Sequence, residues 1–195
     1  KDGSLGEVED FFFDGTTWRL RYLVVDTGAV IPGRRFVVPA GELGQPDWSG
    51  KVFPVAITRD QVESSPTVDT KKPVSRQEEE AIHTHFQWVP YWTAFGLAGA
   101  SHPVAVPVED KAGSGDVTSD EEEADLRSFD EISGYHIEAR DGEVGHVADL
   151  ILNDDNWTLP MLVVDTRNWL PGKHVLLATE WVVRIDWTEE DVHMG

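Results

Sequence analysis

With no cysteine among its 195 residues, the chain's candidate metal ligands and acid–base groups are chiefly its histidines and carboxylates. That absence removes thiolate nucleophiles, Cys-ligated zinc, Cys-held clusters and disulfide scaffolds together, and it fits a reducing cytoplasm. His83 and His85 flank Thr84 in a segment of helical pattern. An i, i+2 pair lies about 200° apart around a helix axis, so one helix cannot turn both imidazoles to one metal, and a site there needs His102 to join them. His136, His146, His174 and His193 are dispersed along the chain and read as solvated surface residues. A pair drawn from Asp10, Asp26, Asp149 and Asp165 could act as acid and base in a glycosidase-like site. These aspartates recur at equivalent places in two halves of the chain, so they read instead as turn and strand-end residues accepting backbone N–H groups. No Gly-rich phosphate loop, nucleophile elbow or Ser/His/Asp order stands out, nor does a twelve-residue calcium loop. On this reading there is no catalytic, cofactor-binding or metal residue, and the chain is not an enzyme.

Charge narrows the partners. The chain carries 16 basic and 36 acidic residues, a net charge of −20. A phosphate backbone would be repelled, so nucleic acid is not expected to bind. The acidity is uneven: residues 1–66 carry 7 basic and 10 acidic groups, 67–131 carry 5 and 14, and 132–195 carry 4 and 12. The longest apolar stretch, Phe95–Val108, is interrupted by Gly, Ser, His and Pro. It falls short of the roughly 20 residues that a membrane helix needs, so no integral membrane segment is expected.

The elements that must position these groups come twice. Shifting the chain by 139 residues aligns 2–49 with 141–188 without a gap, and 16 of the 48 positions are identical. Leu23-Val24-Val25-Asp26-Thr27 returns as Leu162-Val163-Val164-Asp165-Thr166, Gly6 as Gly145, Trp18 as Trp157, and Pro32-Gly33 as Pro171-Gly172. Asp141-Gly142 between alternating apolar residues predicts a hairpin with a type I′ turn. Asp14–Thr17 and Asn153–Asn156 predict the next turns. The period-two alternation of Trp18–Tyr22 predicts a half-exposed strand with Arg19 and Arg21 outward. Pro160, in place of Arg21, predicts an edge or a bulge. Phe36-Val37-Val38 and Val175-Leu176-Leu177 predict one further strand each, so the expectation is mainly β, two tandem small barrels. The same shift leaves module 1 (1–66) without a counterpart of the strand at 132–140, and module 2 (132–195) without most of a counterpart of 52–66. Both ends of the native chain are therefore expected to continue or to be disordered.

Residues 67–131 have no partner in the repeat and form the connector. Ser75 followed by Glu78 is a capping-box pattern, predicting a helix over about 75–88 that ends before Pro90. A capped segment at Thr58–Ser65 precedes Pro66, and the acidic run Asp120–Asp125 is expected to lead into a short helix near Phe129. Residues 96–116 have a linker's composition. Trp88, Tyr91, Trp92 and Phe95 either dock the connector onto a barrel or form a partner-binding patch.

The pattern Asp-Gly-x-x-Gly-x-Val-x-Asp, then Trp, then Leu-Val-Val-Asp-Thr, then Pro-Gly and an apolar strand, resembles the PRC-barrel family. The stretch from Gly134 through Trp169-Leu170-Pro171-Gly172-Lys173 looks very like soluble bacterial tandem PRC-barrel proteins. The fold is that of the cytoplasmic domain of the photosynthetic reaction-centre H subunit and of the C-terminal domain of ribosome-maturation factors. This chain lacks the H subunit's membrane helix and the maturation factor's N-terminal domain, so neither role transfers with the fold. The resemblance implies a non-enzymatic docking or assembly module that binds a protein partner, with homo-oligomers left open. Arg19 and Arg21 join the connector aromatics as candidate contacts. The other reading of the residues is a small-molecule or cation binder, with its site between a barrel and the aromatic connector.

Overall fold

Short apolar runs closed by tight turns become strands, and in the computed structural model of the protein these strands share one curled, half-barrel-like sheet. The structure describes residues 3–28, 32–66, 74–92, 126–166 and 173–195. The first repeat segment forms β1 (Glu7–Asp14), β2 (Arg19–Asp26) and β3 (Arg35–Pro39), followed by the helix α1 (Arg59–Ser64). The connector forms α2 (Arg76–Phe86) and a short strand, β4 (Leu126–Ser128). After the helical turn α3 (Phe129–Ile132) come β5 (His136–Ala139), β6 (Gly142–Asn153), β7 (Thr158–Asp165), β8 (His174–Ala178), β9 (Val182–Asp186) and β10 (Asp191–Met194). The strand order is β4-β1-β2-β7-β6-β5-β10-β9, with β3 beside β2 and β8 beside β7. No helix among the described residues is long and apolar enough to cross a membrane.

Local chemistry explains the ends of these elements. Both α1 and α2 start with a complete capping box, Thr58 with Gln61 and Ser75 with Glu78, which satisfies N–H groups that a helix start leaves open. The α2 helix stops at Gln87, whose φ of 59° is left-handed. The Asp14 carboxylate accepts the N–H groups of Thr16 and Thr17 at 3.1 and 2.8 Å, building the turn into β2. The hairpin of β5 and β6 forms, but its turn is not type I′. Ala139 pairs with Gly142 across Arg140 and Asp141, and of these residues only Gly142 has positive φ, at +137°. The glycine therefore serves the first residue of the strand rather than the turn. Pro160 sits where the β6–β7 register jumps from Ile151↔Met161 to Asn153↔Thr158, so its missing N–H falls in a bulge. The acidic run at 120–125 lies outside the described residues, and α3 begins at Phe129 behind an N-cap from Ser128.

The two matched segments meet at their tryptophan turns. Leu20 N–H donates to the Trp157 carbonyl at 2.9 Å, and Leu159 N–H donates to the Trp18 carbonyl at 2.8 Å. Residues 18 and 157, and likewise 20 and 159, differ by the repeat spacing, so each segment gives the other the bond that it receives. Trp18 and Trp157 have φ of 53° and 56°, a conformation that is an outlier for a bulky side chain. Burial offsets that strain. Trp18 is buried in the core of the second half, 5.4 Å from the Phe13 ring and nearly parallel to it, while Trp157 packs against the core of the first.

The connector is not a free tether where it is described. Its β4 pairs with the end of β1, Phe13 opposite Arg127, and Leu126 is buried in the first core. Helix α2 lies against β2 through Tyr22, whose hydroxyl reaches Glu79 and His83.

Candidate functional site

The α2 stripe that faces the sheet carries Glu79, Ile82, His83 and Phe86, all buried. Their spacing of three and four is the ordinary pattern of a packed helix face, yet two of the four residues are ionisable. Glu79 is fully buried. Its Oε1 accepts the hydroxyls of Tyr22 at 2.9 Å and Tyr91 at 3.1 Å, and its Oε2 accepts Arg76 at 3.0 Å. His83 Nε2 lies 2.8 Å from the Tyr22 hydroxyl. Arg76 stacks on the Trp92 ring at 4.2 Å, and Arg21 on the Tyr91 ring at 4.0 Å. One buried carboxylate thus gathers two phenols, a guanidinium and, through Tyr22, an imidazole.

Burial decides the protonation of this cluster. It raises the Glu79 carboxyl above the ordinary carboxylate range, while the bonds from Tyr22 and the Arg76 charge pull the other way. It pushes both Tyr22 and Tyr91 well above the usual phenol range, with the Glu79 charge adding to the effect. His83 falls to about 4, again mainly by burial, helped by Arg76 and opposed by a bond to the Trp88 backbone. A depressed histidine lends stability above its unfolded value of about 6.5 and loses it as pH falls through 4. We therefore expect the His83 ring to titrate near 4 by NMR. The unfolding free energy should lose about 3 kcal/mol over that window through His83, and His83→Gln should flatten that part of the profile.

The candidates from sequence are placed unequally. Arg21, expected to face outward, is folded onto Tyr91 and bonds Asp14 at 2.7 Å with its side chain 15% exposed. The reason is the bulge that skips Arg21 between Phe12↔Tyr22 and Phe13↔Leu20, which breaks the alternation. Arg19 is exposed and stands opposite Thr158 where the two segments meet. Trp88, Tyr91 and Trp92 are half-buried; Trp88 stacks on Phe86 at 4.1 Å, and Tyr91 and Trp92 belong to the Glu79 cluster. Phe95 and His102 lie outside the described residues. Between the sheet and the connector, where the sequence suggested a ligand site, the Tyr22 hydroxyl meets Glu79 and His83 directly.

The histidine and aspartate readings divide. His83 faces Tyr22 while His85 reaches the Gln61 carbonyl at 3.2 Å, so the two do diverge as helix geometry requires. Asp10 and Asp149 each accept the N–H of the next residue, from Phe11 and Leu150, at 2.8 Å, and Asp26 accepts that of Gly28 at 2.7 Å. Each of these carboxylates satisfies a backbone N–H group. His136 and His146, read as dispersed, stand directly opposite each other on β5 and β6. Strand pairing brought together what chain distance concealed.

A second feature is a difference between the halves. Val24 pairs with Val37 across β2 and β3, and both are about 98–99% buried beside Tyr22 in the cluster that includes Val62, Ile82 and Phe86 from the helices. The equivalent pair on β7 and β8 is Val163 with Leu176. Leu176 is 58% exposed, and Met161 and Val163 are only partly covered. Among the described residues, the face that α1 and α2 seal in the first half is covered by no helix in the second.

No protein-family model matches this chain, and no curated protein matches it either. The buried Glu79 could have been suspected from sequence, since it is the one carboxylate on the apolar stripe of the predicted helix. The open face carried no such signal, because Leu176 reads as core in any strand pattern.

Proposed function

We propose that this protein is a non-enzymatic docking module, built as two tandem barrels of the PRC type, whose second half binds an amphipathic helix of a partner protein. One observation carries the reading: the Met161–Val163–Leu176 face is open where the equivalent Tyr22–Val24–Val37 face is covered by a helix. A sheet face that already accepts a helix in one copy has the spacing and curvature to accept one in the other. The segment 132–195, with 4 basic and 12 acidic residues, favours lysine or arginine at the flanks of the incoming helix. Asp165, in register with His174 at the margin of the face, is a natural counter-charge.

A photo-crosslinking amino acid in place of Leu176 tests this in cells that make the protein. The expected result is a discrete adduct mapping to an amphipathic, basic-flanked helix, lost on adding Val163→Glu. An adduct that survives Val163→Glu, or one obtained only with the crosslinker in place of Arg19, would sink the reading. Cleavage of small molecules plays no part in this function.

A further inference from the structure

We infer that His136, His146 and Glu143 form a surface site for a borderline divalent transition cation, with zinc as the matching ion. His136 on β5 and His146 on β6 are directly opposed in an antiparallel pair, which sets their Cβ atoms about 5 Å apart on one face. Their rings lie 4.5 Å apart, centroid to centroid.

The third ligand depends on an irregularity. Glu143 and His146 are three residues apart, and in a regular strand they would point to opposite faces. The register instead runs from Ile137↔Gly145 to Glu138↔Glu143 and skips Val144. That bulge places Glu143 on the histidine face. Glu143 Oε1 then lies 3.5 Å from His136 Nδ1, and one ligand atom from each of the three residues lies within 4.8 Å of the others. Tetrahedral zinc with bonds near 2.0–2.1 Å wants ligand atoms about 3.4 Å apart, so small side-chain rotations close the set.

The register supplies neighbours as well. Asp191 stands beside His136 across β10, and Asp165 stands beside His146 across β7. Carboxylates next to ligating imidazoles are the usual means of fixing ring orientation. Two imidazoles with one carboxylate suit zinc better than calcium or magnesium, which prefer all-oxygen shells. Three protein ligands leave a fourth position for water or for a side chain of a bound protein. The net charge of −20 concentrates cations at this surface.

Isothermal titration of zinc chloride into the tag-free, metal-stripped chain tests the site. One saturable site per chain is expected, with Kd on the order of micromolar. His136→Ala and His146→Ala should each weaken binding by about tenfold or more, and Glu143→Gln by a smaller factor. His174→Ala/His193→Ala should leave it unchanged. His136 is exposed and His146 half-buried, neither belonging to a core, so circular dichroism of the variants should match that of wild type. Failure of the native chain to bind zinc saturably overturns the inference, as does wild-type affinity in His136→Ala/His146→Ala. This result is independent of the docking reading, whose readout is a covalent adduct at Leu176.

Discussion

Gly145→Ala should lower the unfolding free energy by about 3 kcal/mol or more, read from urea melts, and Gly6→Ala should do nearly the same. A Cβ built on Gly145 would overlap the Asp165 carbonyl oxygen and come within 3.2 Å of the Thr166 Cα. One built on Gly6 would overlap the Asp26 carbonyl oxygen in the same way and approach the Thr27 Cα to 2.9 Å. These obstacles are backbone atoms at the ends of β2 and β7, so no rotamer change relieves them. The glycines are also held at φ of +151° and +157°, where an alanine is strained. Gly41→Ala is the control: nothing lies within 4 Å of its added Cβ and its backbone is ordinary, so its effect should stay within about 0.5 kcal/mol. An equal effect at Gly41 and Gly145 would show that the close approach is not what fixes the glycine. Because Gly145 borders the bulge at Val144, its replacement should also weaken zinc binding through His146 and Glu143.

The second large effect belongs to Glu79. Glu79→Ala removes the common acceptor of the Tyr22 and Tyr91 hydroxyls and of Arg76, stranding a guanidinium and two phenols. Breaking a buried charged network from one side costs about 3–5 kcal/mol. Glu79→Gln keeps the shape and one acceptor oxygen and should cost less, while Tyr22→Phe, which deletes a single hydroxyl, should cost about 1–2 kcal/mol. The pH dependence has a definite sign. A carboxyl raised in the folded state contributes most below its unfolded value near 4.5 and loses that contribution as pH climbs through its folded value. Wild type should therefore gain on Glu79→Gln as the solution is acidified. Comparing these two chains cancels most of the His83 effect, which runs the opposite way. A gap between them that is flat with pH would mean that Glu79 is not held by burial.

The same cluster explains why the connector aromatics are not an open patch where they are described. Tyr91 and Trp92 each carry a guanidinium on a ring face, and Tyr91 also donates to the buried carboxylate. Their aromatic surface covers charge that the helix brought inside. Among the described residues, the second half has no such helix on its matching face.

The sequence by itself determined the elements that depend on near neighbours. The repeat at a spacing of 139 residues, the mainly β class, the capping boxes at Thr58 and Ser75, the strands at Val37 and Leu176, and the bulge at Pro160 all follow from turn chemistry and alternation. Each is settled within a few residues of chain, which a linear pattern can express. The divergence of His83 and His85 was legible for the same reason, since helix geometry is local.

What only the tertiary structure decided are relations across strands and between halves. Gly6 and Gly145 were visible as matched glycines, but the carbonyls of Asp26 and Asp165 that forbid a side chain there lie about 20 residues on. Arg21 reads as outward by alternation, and a bulge turned it onto Tyr91. The reciprocal bonds between Trp18 and Leu159 and between Trp157 and Leu20 depend on how the two segments dock, which no propensity encodes. His136 and His146 are ten residues apart in sequence and adjacent in space, because register sets which residues face each other across a hairpin. The bulge at Val144 then decides that Glu143 joins them. Side-chain direction in a sheet has a period of two, so one inserted residue reverses it. In this fold such single-residue shifts decide which side chains share a face, and they are fixed by the packed sheet.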